Sequence, residues 1–401
     1  MSELLPFRAL RPAPAAASRV ASVPYDVVNT DEARALALKE PLSFLRVTRS
    51  EVDLPASTNP YADAVYAQAV TNFAALQRTA PMVIDDEPSL YFYRLTMGAH
   101  MQVGLAGCFS VDEYDRGLVK KHEKTRPDKE DDRTRHVTEL RAQTGVVFLT
   151  YRESPAVDAV AARVLTSAPL YAFTADDGIT HELWRVTGSD ADTLVRAFGA
   201  MPALYIADGH HRAASASRAN AALNGAGESG AFIAVAFPDT QMQILPYNRV
   251  VKDLAGQTPE QFLATLRTHV GMAPGTPTPA RAGLVSMYFG GTWHQLSLPL
   301  MPHGTPRDQS LDVAVLQSHV LEPVLKVGDP RSDKRIDFIG GARGTAELER
   351  LVDSGKAAVA FSLVATTIDD LIAISDAGGI MPPKSTWFEP KLRDGLLVHL
   401  I

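Results

Sequence analysis

The sequence alternates between strand-like and helix-like segments, and this alternation restricts the fold more than any other feature. Leu90–Met97 and Gln102–Val111 flank Gly98-Ala99-His100, which is the pattern of a β-hairpin. Elsewhere an apolar run of strand length, Val146–Tyr151, is followed by a segment with helical spacing, Pro155–Leu165. Because hairpins recur among the helices, we predict mixed sheets in an α+β or mixed α/β fold rather than a doubly wound parallel sheet.

The length of 401 residues exceeds what one ordinary core organises. We expect an N-terminal α/β subdomain at 1–150 and a core at 151–255. A C-terminal α/β subdomain at 256–401 is expected to pack on that core.

The composition limits the partners of the chain. Asp and Glu number 46 against 39 Lys and Arg, a net charge of −7, whereas nucleic-acid binders usually carry a basic excess. Nucleic acid is therefore not an expected partner. No apolar stretch approaches the roughly 20 residues that cross a bilayer, so no membrane association and a cytoplasmic location are expected. With Cys108 as the single cysteine, an internal disulfide is excluded.

The strongest local signal is a strand that runs into a polar turn and then into a helix. Ala203–Ile206 is apolar, the sequence Asp208-Gly209-His210-His211-Arg212 follows it, and Ala213–Leu223 is alanine-rich. Gly209 permits a tight turn, and the first N–H groups of the helix form an anion site. Arg212, expected at the surface of the first helical turn, can grip phosphate oxygens with two N–H groups. The alternative is that Arg212 is a structural residue buried against Asp208.

The side chains of this turn have several candidate roles. Asp208 can orient a hydroxyl or hold a metal-bound water, and His210 and His211 can donate to phosphate or transfer protons. The alternative is a helix cap with two surface histidines. A metal site built on the two histidines is weaker, because adjacent histidines at a helix start point in different directions.

The segment Arg116–Arg141 carries nine Lys or Arg and six Asp or Glu inside an acidic protein. Such a run is usually a solvated helix face. Here, Glu123 is a candidate general base or metal ligand, and His122 and Arg133 are candidate phosphate contacts.

Two further segments carry candidate binding residues. In Met381–Thr386, consecutive prolines precede Lys384, Ser385 and Thr386, which either present an ammonium and two hydroxyls to an anion or form a rigid surface turn.

Asp26 and Arg46 suit a zwitterionic amino acid if they face a cleft. Otherwise Asp26 caps a turn and Arg46, in the predicted strand Leu42–Thr48, forms a buried pair.

Over nearly its whole length the sequence resembles the family known as domain of unknown function 1015. The resemblance is carried by Val23-Pro24-Tyr25-Asp26-Val27-Val28-Asn29, Ser43-Phe44-Leu45-Arg46-Val47, His122-Glu123-Lys124-Thr125 with Lys129 and Asp132-Arg133, Ala207-Asp208-Gly209-His210-His211-Arg212, and Met381-Pro382-Pro383-Lys384-Ser385-Thr386.

Asp208, Gly209, His211 and Arg212 also match an Asp-Gly-x-His-Arg pattern similar to one in free serine kinases of the ParB/sulfiredoxin-like fold. This shorter resemblance implies a ParB/sulfiredoxin-like nucleotide-binding core with large additional elements. It implies a phosphotransferase that uses ATP or ADP with Mg²⁺ and phosphorylates a small hydroxyl substrate such as free serine. In our phosphotransferase hypothesis, Asp208, Glu123 and His211 are the candidate catalytic residues, and Asp208 and Glu123 are the candidate metal ligands.

Three alternatives give similar sequence patterns. They are a phosphatase acting on a phosphorylated amino acid, a non-catalytic nucleotide-binding protein, and a ParB-like regulatory protein.

Overall fold

The computed structural model describes residues 2–401. The chain divides into two compact units, one formed by 2–242 with 390–401 and the other by 243–389. The first two segments expected from the sequence, 1–150 and 151–255, contribute strands to one sheet of the first unit. No helix among residues 2–401 combines the length and apolar character needed to cross a membrane.

The first unit contains most of the strands and helices. Its strands are β1 (Leu4–Leu5), β2 (Leu10–Pro12), β3 (Met82–Ile84), β4 (Leu90–Met97), β5 (His100–Ser110), β6 (Val119–Lys120), β7 (Ala142–Gln143), β8 (Val147–Tyr151), β9 (Tyr171–Thr174), β10 (Thr180–Val186), β11 (Leu204–Asp208), β12 (Ala231–Pro238) and, near the end of the chain, His399–Leu400. Its helices are α1 (Ala17–Val20), α2 (Thr30–Lys39), α3 (Leu45–Thr48), α4 (Asp63–Thr79), α5 (Val111–Asp115), α6 (Pro127–Leu140), α7 (Pro155–Val164), α8 (Gly188–Gly199) and α9 (His210–Ala222).

A nine-stranded mixed sheet forms the centre of this unit, in the order β6-β11-β8-β12-β5-β4-β10-β9 with β1 beside β5. The pairs β6/β11 and β8/β12 are parallel and the others are antiparallel. Every residue of β12 is buried, as expected for a central strand covered on both faces. The predicted hairpin is confirmed as β4 and β5, and Gly98 between them has a φ of 57°.

The second unit is built on an antiparallel sheet of six strands in the order β15-β17-β16-β19-β14-β18. Its strands are β13 (Ile244–Leu245), β14 (Tyr247–Val251), β15 (Gly271–Pro274), β16 (Leu284–Phe289), β17 (Thr292–Ser297), β18 (Ile336–Gly340), β19 (Val359–Ser362) and β20 (Trp387–Phe388). Its helices are α10 (Pro259–His269), α11 (Arg307–Ser310), α12 (Asp312–Leu316), α13 (Ala346–Asp353) and α14 (Ile368–Asp376).

The expected mixed α/β class is therefore confirmed: both units combine helices with sheets, and the larger sheet is mixed. The prediction of a strand at Leu42–Thr48 was wrong, because Leu45–Thr48 forms the short helix α3. An apolar run this short fits either conformation, and here Phe44 and Val47 pack with Phe73 in the core shared with α4.

Candidate functional site

The predicted strand, turn and helix around Gly209 are confirmed. β11 ends at Asp208, and α9 begins at His210. The first turn of α9 has no side-chain cap and no acidic residue. The N–H groups of His210, His211 and Arg212 precede the first residues that can bond within the helix, so they have no acceptor inside it. The local structure thus has the form of an anion-binding helix start.

Gly209 is required here for two reasons. Its φ of 95° is in the left-handed region, which favours glycine. In addition, a β-carbon at this position would lie 3.2 Å from Cζ of Arg212 and 3.3 Å from its Nε. A side chain at position 209 would therefore require the guanidinium group of Arg212 to move by a few tenths of an ångström.

Arg212 lies inside the protein, and its expected position at the surface of the helix was wrong. Its Nη1 donates a hydrogen bond to the carbonyl oxygen of Val146, and its Nη2 donates to Oδ2 of Asp26 at 3.2 Å. The same Nη2 lies 3.8 Å from Oδ1 of Asp208. A buried guanidinium requires such partners, because an unpaired charge is very costly away from water.

Asp208 is held by a lysine that the sequence reading missed. Nζ of Lys391 donates to Oδ2 of Asp208 at 2.9 Å. Burial by itself would raise the pKa of Asp208, but the charges of Lys391 and Arg212 outweigh it and hold the pKa well below its usual range. Asp208 is therefore an ionised carboxylate between two cations.

Two buried imidazoles lie beside the turn. The rings of His122 and His210 are edge to face with centroids 4.4 Å apart. The backbone N–H of His122 donates to Nε2 of His210 at 3.3 Å, which places the proton of a neutral His210 on Nδ1. That Nδ1 is 3.8 Å from Oε2 of Glu123. Burial lowers the pKa of His122 to about 4 and that of His210 well below its usual value, so both rings are neutral near pH 7.

His211, expected to be catalytic, lies on the same first turn and is half-buried. Its Nε2 accepts a hydrogen bond from the backbone N–H of Arg126 at 3.0 Å. This bond places the proton of a neutral His211 on Nδ1. The loop after Glu123 is thereby connected to the start of α9.

Arg133, expected to contact phosphate, is bound to the protein on several sides. Its Nε donates to Oδ2 of Asp132 at 2.9 Å, and its Nη1 donates to the carbonyl oxygen of Thr48 at 3.3 Å. Its guanidinium carbon lies 4.3 Å from the ring centroid of Tyr25. Arg133 and Arg212 line one small cavity of about 30 Å³, which is the volume of one or two water molecules rather than of a nucleotide.

Asp394, in the same C-terminal segment as Lys391, is fully buried near Arg212 and Asp26. Burial raises its pKa to about 7, although Arg212 acts in the opposite direction. Its backbone pairs with that of Ser22 through two hydrogen bonds of 3.1 and 2.9 Å. The segment 390–401 thus brings both Lys391 and Asp394 to the residues around Arg212.

Asp26 and Arg46 have different partners in the structure. Asp26 accepts the hydrogen bond from Arg212. Arg46 pairs with Asp53 and donates to the carbonyl oxygen of Ala37 at 2.8 Å. The Arg46–Asp53 pair is partly exposed, so it differs from the buried pair that the sequence left open for Arg46, and of these two residues Asp26 alone joins the residues around α9.

Lys384, Ser385 and Thr386 lie in the second unit. The buried Arg249 donates to the carbonyl oxygen of Lys384 at 3.0 Å and shapes this loop. The hydroxyl of Ser385 donates to the carbonyl oxygen of Pro382 at 2.6 Å, and Nζ of Lys384 lies 5.6 Å from the ring centroid of Tyr247. The hydroxyl of Ser385 thus bonds within its own loop, as in a rigid turn.

The carboxylates expected to hold a metal ion, Asp208 and Glu123, are not part of a complete protein cage. Within residues 2–401 there is no group of three or more His, Cys, Asp or Glu side chains arranged to hold a metal ion. A Mg²⁺ ion bound mainly by substrate phosphates needs no such group, because it commonly takes only one or two carboxylates from the protein.

The structure therefore gathers residues from four distant parts of the sequence around the start of α9. They are Asp26, His122, Glu123, Asp208, His210, His211, Arg212, Lys391 and Asp394. Of these, Lys391 and Asp394 were missed. The sequence Pro390-Lys391-Leu392-Arg393-Asp394 was one available signal, since it places charges among apolar residues shortly after the Pro-Pro-Lys-Ser-Thr segment.

Comparison with solved structures gives matches of low similarity. SbnI from Staphylococcus aureus, with a C-terminal truncation, has a TM-score of 0.40 and 13% identity over 74% of this chain and 87% of its own. A conserved hypothetical protein from Pyrococcus furiosus has a TM-score of 0.38 and 14% identity over 74% and 95%. A free serine kinase in complex with AMP has a TM-score of 0.39 and 12% identity over 74% and 92%. Likeness at this level gives no information about the ligand of this chain.

A search of curated proteins found no match. The family model described as "Protein of unknown function (DUF1015)" matches residues 4–314, which is well over half of the 401 residues. The chain therefore belongs to the DUF1015 family.

Proposed function

We propose that this protein binds the phosphates of a nucleotide at the start of α9 and transfers a phosphoryl group to a small hydroxyl substrate such as free serine. The observation that carries the proposal is the turn itself. β11 delivers Asp208 to Gly209, whose φ of 95° directs the chain into a 13-residue helix with no side-chain cap. The Asp-Gly-x-His-Arg pattern at Asp208, Gly209, His211 and Arg212 supports the same reading.

In this proposal the N–H groups of His210 and His211, together with the positive end of the helix dipole, hold phosphate oxygens. Phosphoryl transfer needs mainly positioning and charge stabilisation, which such a fixed site provides. Mg²⁺, when bound with the nucleotide, would neutralise charge on the phosphates. The neutral rings of His122 and His210 do not repel a Mg²⁺ ion and can donate hydrogen bonds through N–H.

The acceptor hydroxyl also needs a base. Asp208 is held between Lys391 and Arg212, and its lowered pKa makes it a weak proton acceptor. Glu123 is 42% exposed and its Oε2 lies 3.8 Å from Nδ1 of the buried His210, so an entering hydroxyl can reach it. We therefore assign the general base to Glu123 and the organisation of the cations to Asp208.

The proposal is tested by titrating the protein with ADP and ATP in a calorimeter, followed by ³¹P NMR with ATP, Mg²⁺ and serine. The expected result is binding of both nucleotides and formation of a phosphorylated serine. Glu123→Gln should retain nucleotide affinity and lose turnover by roughly 10²–10⁴-fold, the usual contribution of a general base.

Other outcomes separate the alternatives. Binding without turnover across small hydroxyl substrates would identify a non-catalytic or regulatory nucleotide-binding protein. Release of inorganic phosphate from phosphoserine would identify the phosphatase. The absence of any nucleotide or pyrophosphate binding would refute the phosphate site.

A further inference from the structure

We infer that the small cavity lined by Arg133 and Arg212 is a binding site for a monatomic anion such as chloride, which stabilises the first unit by linking α6 to α9. The site lies inside this unit and is independent of the proposed function. Three features support it: the size of the cavity, the charge of its lining and a buried N–H group without a partner.

The size of the cavity limits its ligand. The volume of about 30 Å³ is the space of one or two water molecules. A chloride ion is similar in size to a water molecule, whereas a phosphate group, an amino acid or a nucleotide is larger. A monatomic ion or water is therefore the only kind of ligand that fits.

The lining of the cavity favours an anion over a cation or water. Arg133 from α6 and Arg212 from α9 both belong to it, and within residues 2–401 it includes no Asp or Glu. Tyr25 and Thr144 also line the cavity and carry hydroxyl groups, which can donate hydrogen bonds. Two guanidinium groups without an acidic residue in the same lining provide the charge that an anion needs away from water.

Arg212 has a donor that the protein does not use. Its Nη1 donates to the carbonyl oxygen of Val146 and its Nη2 donates to Asp26. Its Nε is buried and has no hydrogen-bond partner among residues 2–401. A buried donor without a partner costs free energy, so its presence in a side chain that lines a cavity indicates a bound ion or water.

Arg133 is held in place but keeps donors for a ligand. Its Nε donates to Oδ2 of Asp132, its Nη2 lies 2.8 Å from the same oxygen, and its Nη1 donates to the carbonyl oxygen of Thr48. These contacts use three of the five N–H groups of a guanidinium. Stacking on the ring of Tyr25 at 4.3 Å fixes its plane. An anion therefore meets a cation whose position is already set, which lowers the entropy cost of binding.

The charge near the two arginines depends on pH through Asp394. Burial raises the pKa of Asp394 to about 7, so in mild acid this carboxyl is protonated and does not compete with an anion for Arg212. His136, which also lines the cavity, is neutral down to about pH 4, because burial lowers its pKa. The remaining charged groups beside the arginines are their pairing carboxylates, Asp26, Asp132 and Asp208. Anion binding is therefore tested at pH 6.

The first experiment compares the thermal unfolding of the full chain in sodium chloride and in sodium gluconate at equal ionic strength. A ligand that binds only the folded protein stabilises it increasingly as its concentration exceeds Kd. The melting temperature should rise with chloride relative to gluconate, which is too large for the cavity. Equal melting temperatures in the two salts would overturn the inference.

The second experiment measures chloride binding by the broadening of the ³⁵Cl NMR signal. Arg133→Met keeps a long side chain without the charge, so chloride affinity should fall by roughly tenfold or more, the effect of losing a charge-assisted hydrogen bond. Arg135→Met is the matched control. Arg135 lies on the same helix, stacks on Tyr66 at 4.2 Å and pairs with Asp63, but it does not line the cavity. An equal loss of affinity in the two variants would contradict the site.

A third experiment needs no variant, and it decides the question even if Arg133→Met does not fold. Crystals of the wild type grown in sodium bromide are examined by anomalous diffraction. Bromide should lie in the cavity between the guanidinium groups of Arg133 and Arg212. Water at that position, or bromide at the protein surface alone, would refute the anion site.

Discussion

The guanidinium of Arg212 lies against Gly209 so closely that a β-carbon at position 209 would be 3.2 Å from its Cζ. The turn that begins α9 and the ion pairs beneath it are therefore one packed unit. A substitution at Gly209 or at Arg212 is expected to alter both the turn and the ion pairs.

Gly209→Ala should destabilise the protein. A left-handed conformation costs a non-glycine residue about 1–2 kcal/mol, and the contact with Arg212 adds to that. Gly117→Ala is the matched control, because Gly117 has a φ of 76° and no heavy atom within 4 Å of its β-carbon position. Urea unfolding gives the loss in free energy of unfolding for each variant, and the larger loss expected for Gly209→Ala measures the contact with Arg212. An equal loss in both variants would show that this contact does not affect stability.

Arg212→Ala should lower the free energy of unfolding by roughly 1–3 kcal/mol, the usual cost when a buried acceptor such as the carbonyl oxygen of Val146 loses its donor, since Asp26 and Asp208 are partly exposed to solvent. Asp26 and Asp208 would lose a cation that the structure places between them. Arg212→Lys should recover only part of the loss, since an ammonium cannot reproduce the planar fork.

The control for that change is Arg126→Ala, whose side chain is exposed and paired with Asp128. Its unfolding free energy should stay within about 0.5 kcal/mol of the wild type. Thermal and urea unfolding of the three variants provide the measurement. A stable Arg212→Ala protein would contradict the buried network.

His136 should make the protein less stable in mild acid. Burial lowers its pKa to about 4, whereas an unfolded histidine titrates near 6.5. Between these values the unfolded chain binds a proton that the folded chain does not, so stability falls as pH drops from about 6.5 to about 4. The slope is about 1.4 kcal/mol per pH unit for each such histidine.

Replacing this residue isolates its share. His136→Gln keeps an N–H donor for the carbonyl oxygen of Val47 and removes the titration. The difference in unfolding free energy between variant and wild type should change by about 1.4 kcal/mol per pH unit between about pH 4 and pH 6.5. Parallel pH curves for the two proteins would show that His136 does not titrate as described.

Asp394 should change the pH dependence of stability in the opposite direction to His136. Burial raises its pKa to about 7, so the folded chain holds a proton that the unfolded chain releases above about pH 4. This contribution to stability is complete at low pH and is lost as pH rises through about 7. Asp394→Asn should therefore gain stability relative to the wild type between pH 5 and pH 8, as melting temperatures across this range would record. A constant difference across the range would rule out the buried proton.

Local sequence determined the elements whose signals lie within a few residues. The hairpin of β4 and β5 follows from two apolar segments around Gly98-Ala99-His100, and the turn at Gly209 follows from an apolar strand, a glycine and an alanine-rich helix. In both cases backbone preference and burial favour the same structure. The mixed character of the fold followed from the same local patterns.

Tertiary structure decided which residues meet at the turn and how deeply each lies. Arg212 is buried because Val146 and Asp26 surround it, and Lys391 reaches Asp208 from 183 residues away. Neither partner can be read from spacing, because contacts across such distances depend on how strands and loops assemble. The short apolar run at Leu45–Thr48 became a helix for the same reason: its conformation depends on what packs against it. The sequence therefore determined the backbone of the candidate site, and the assembled core decided which of its charges face the protein and which remain near solvent.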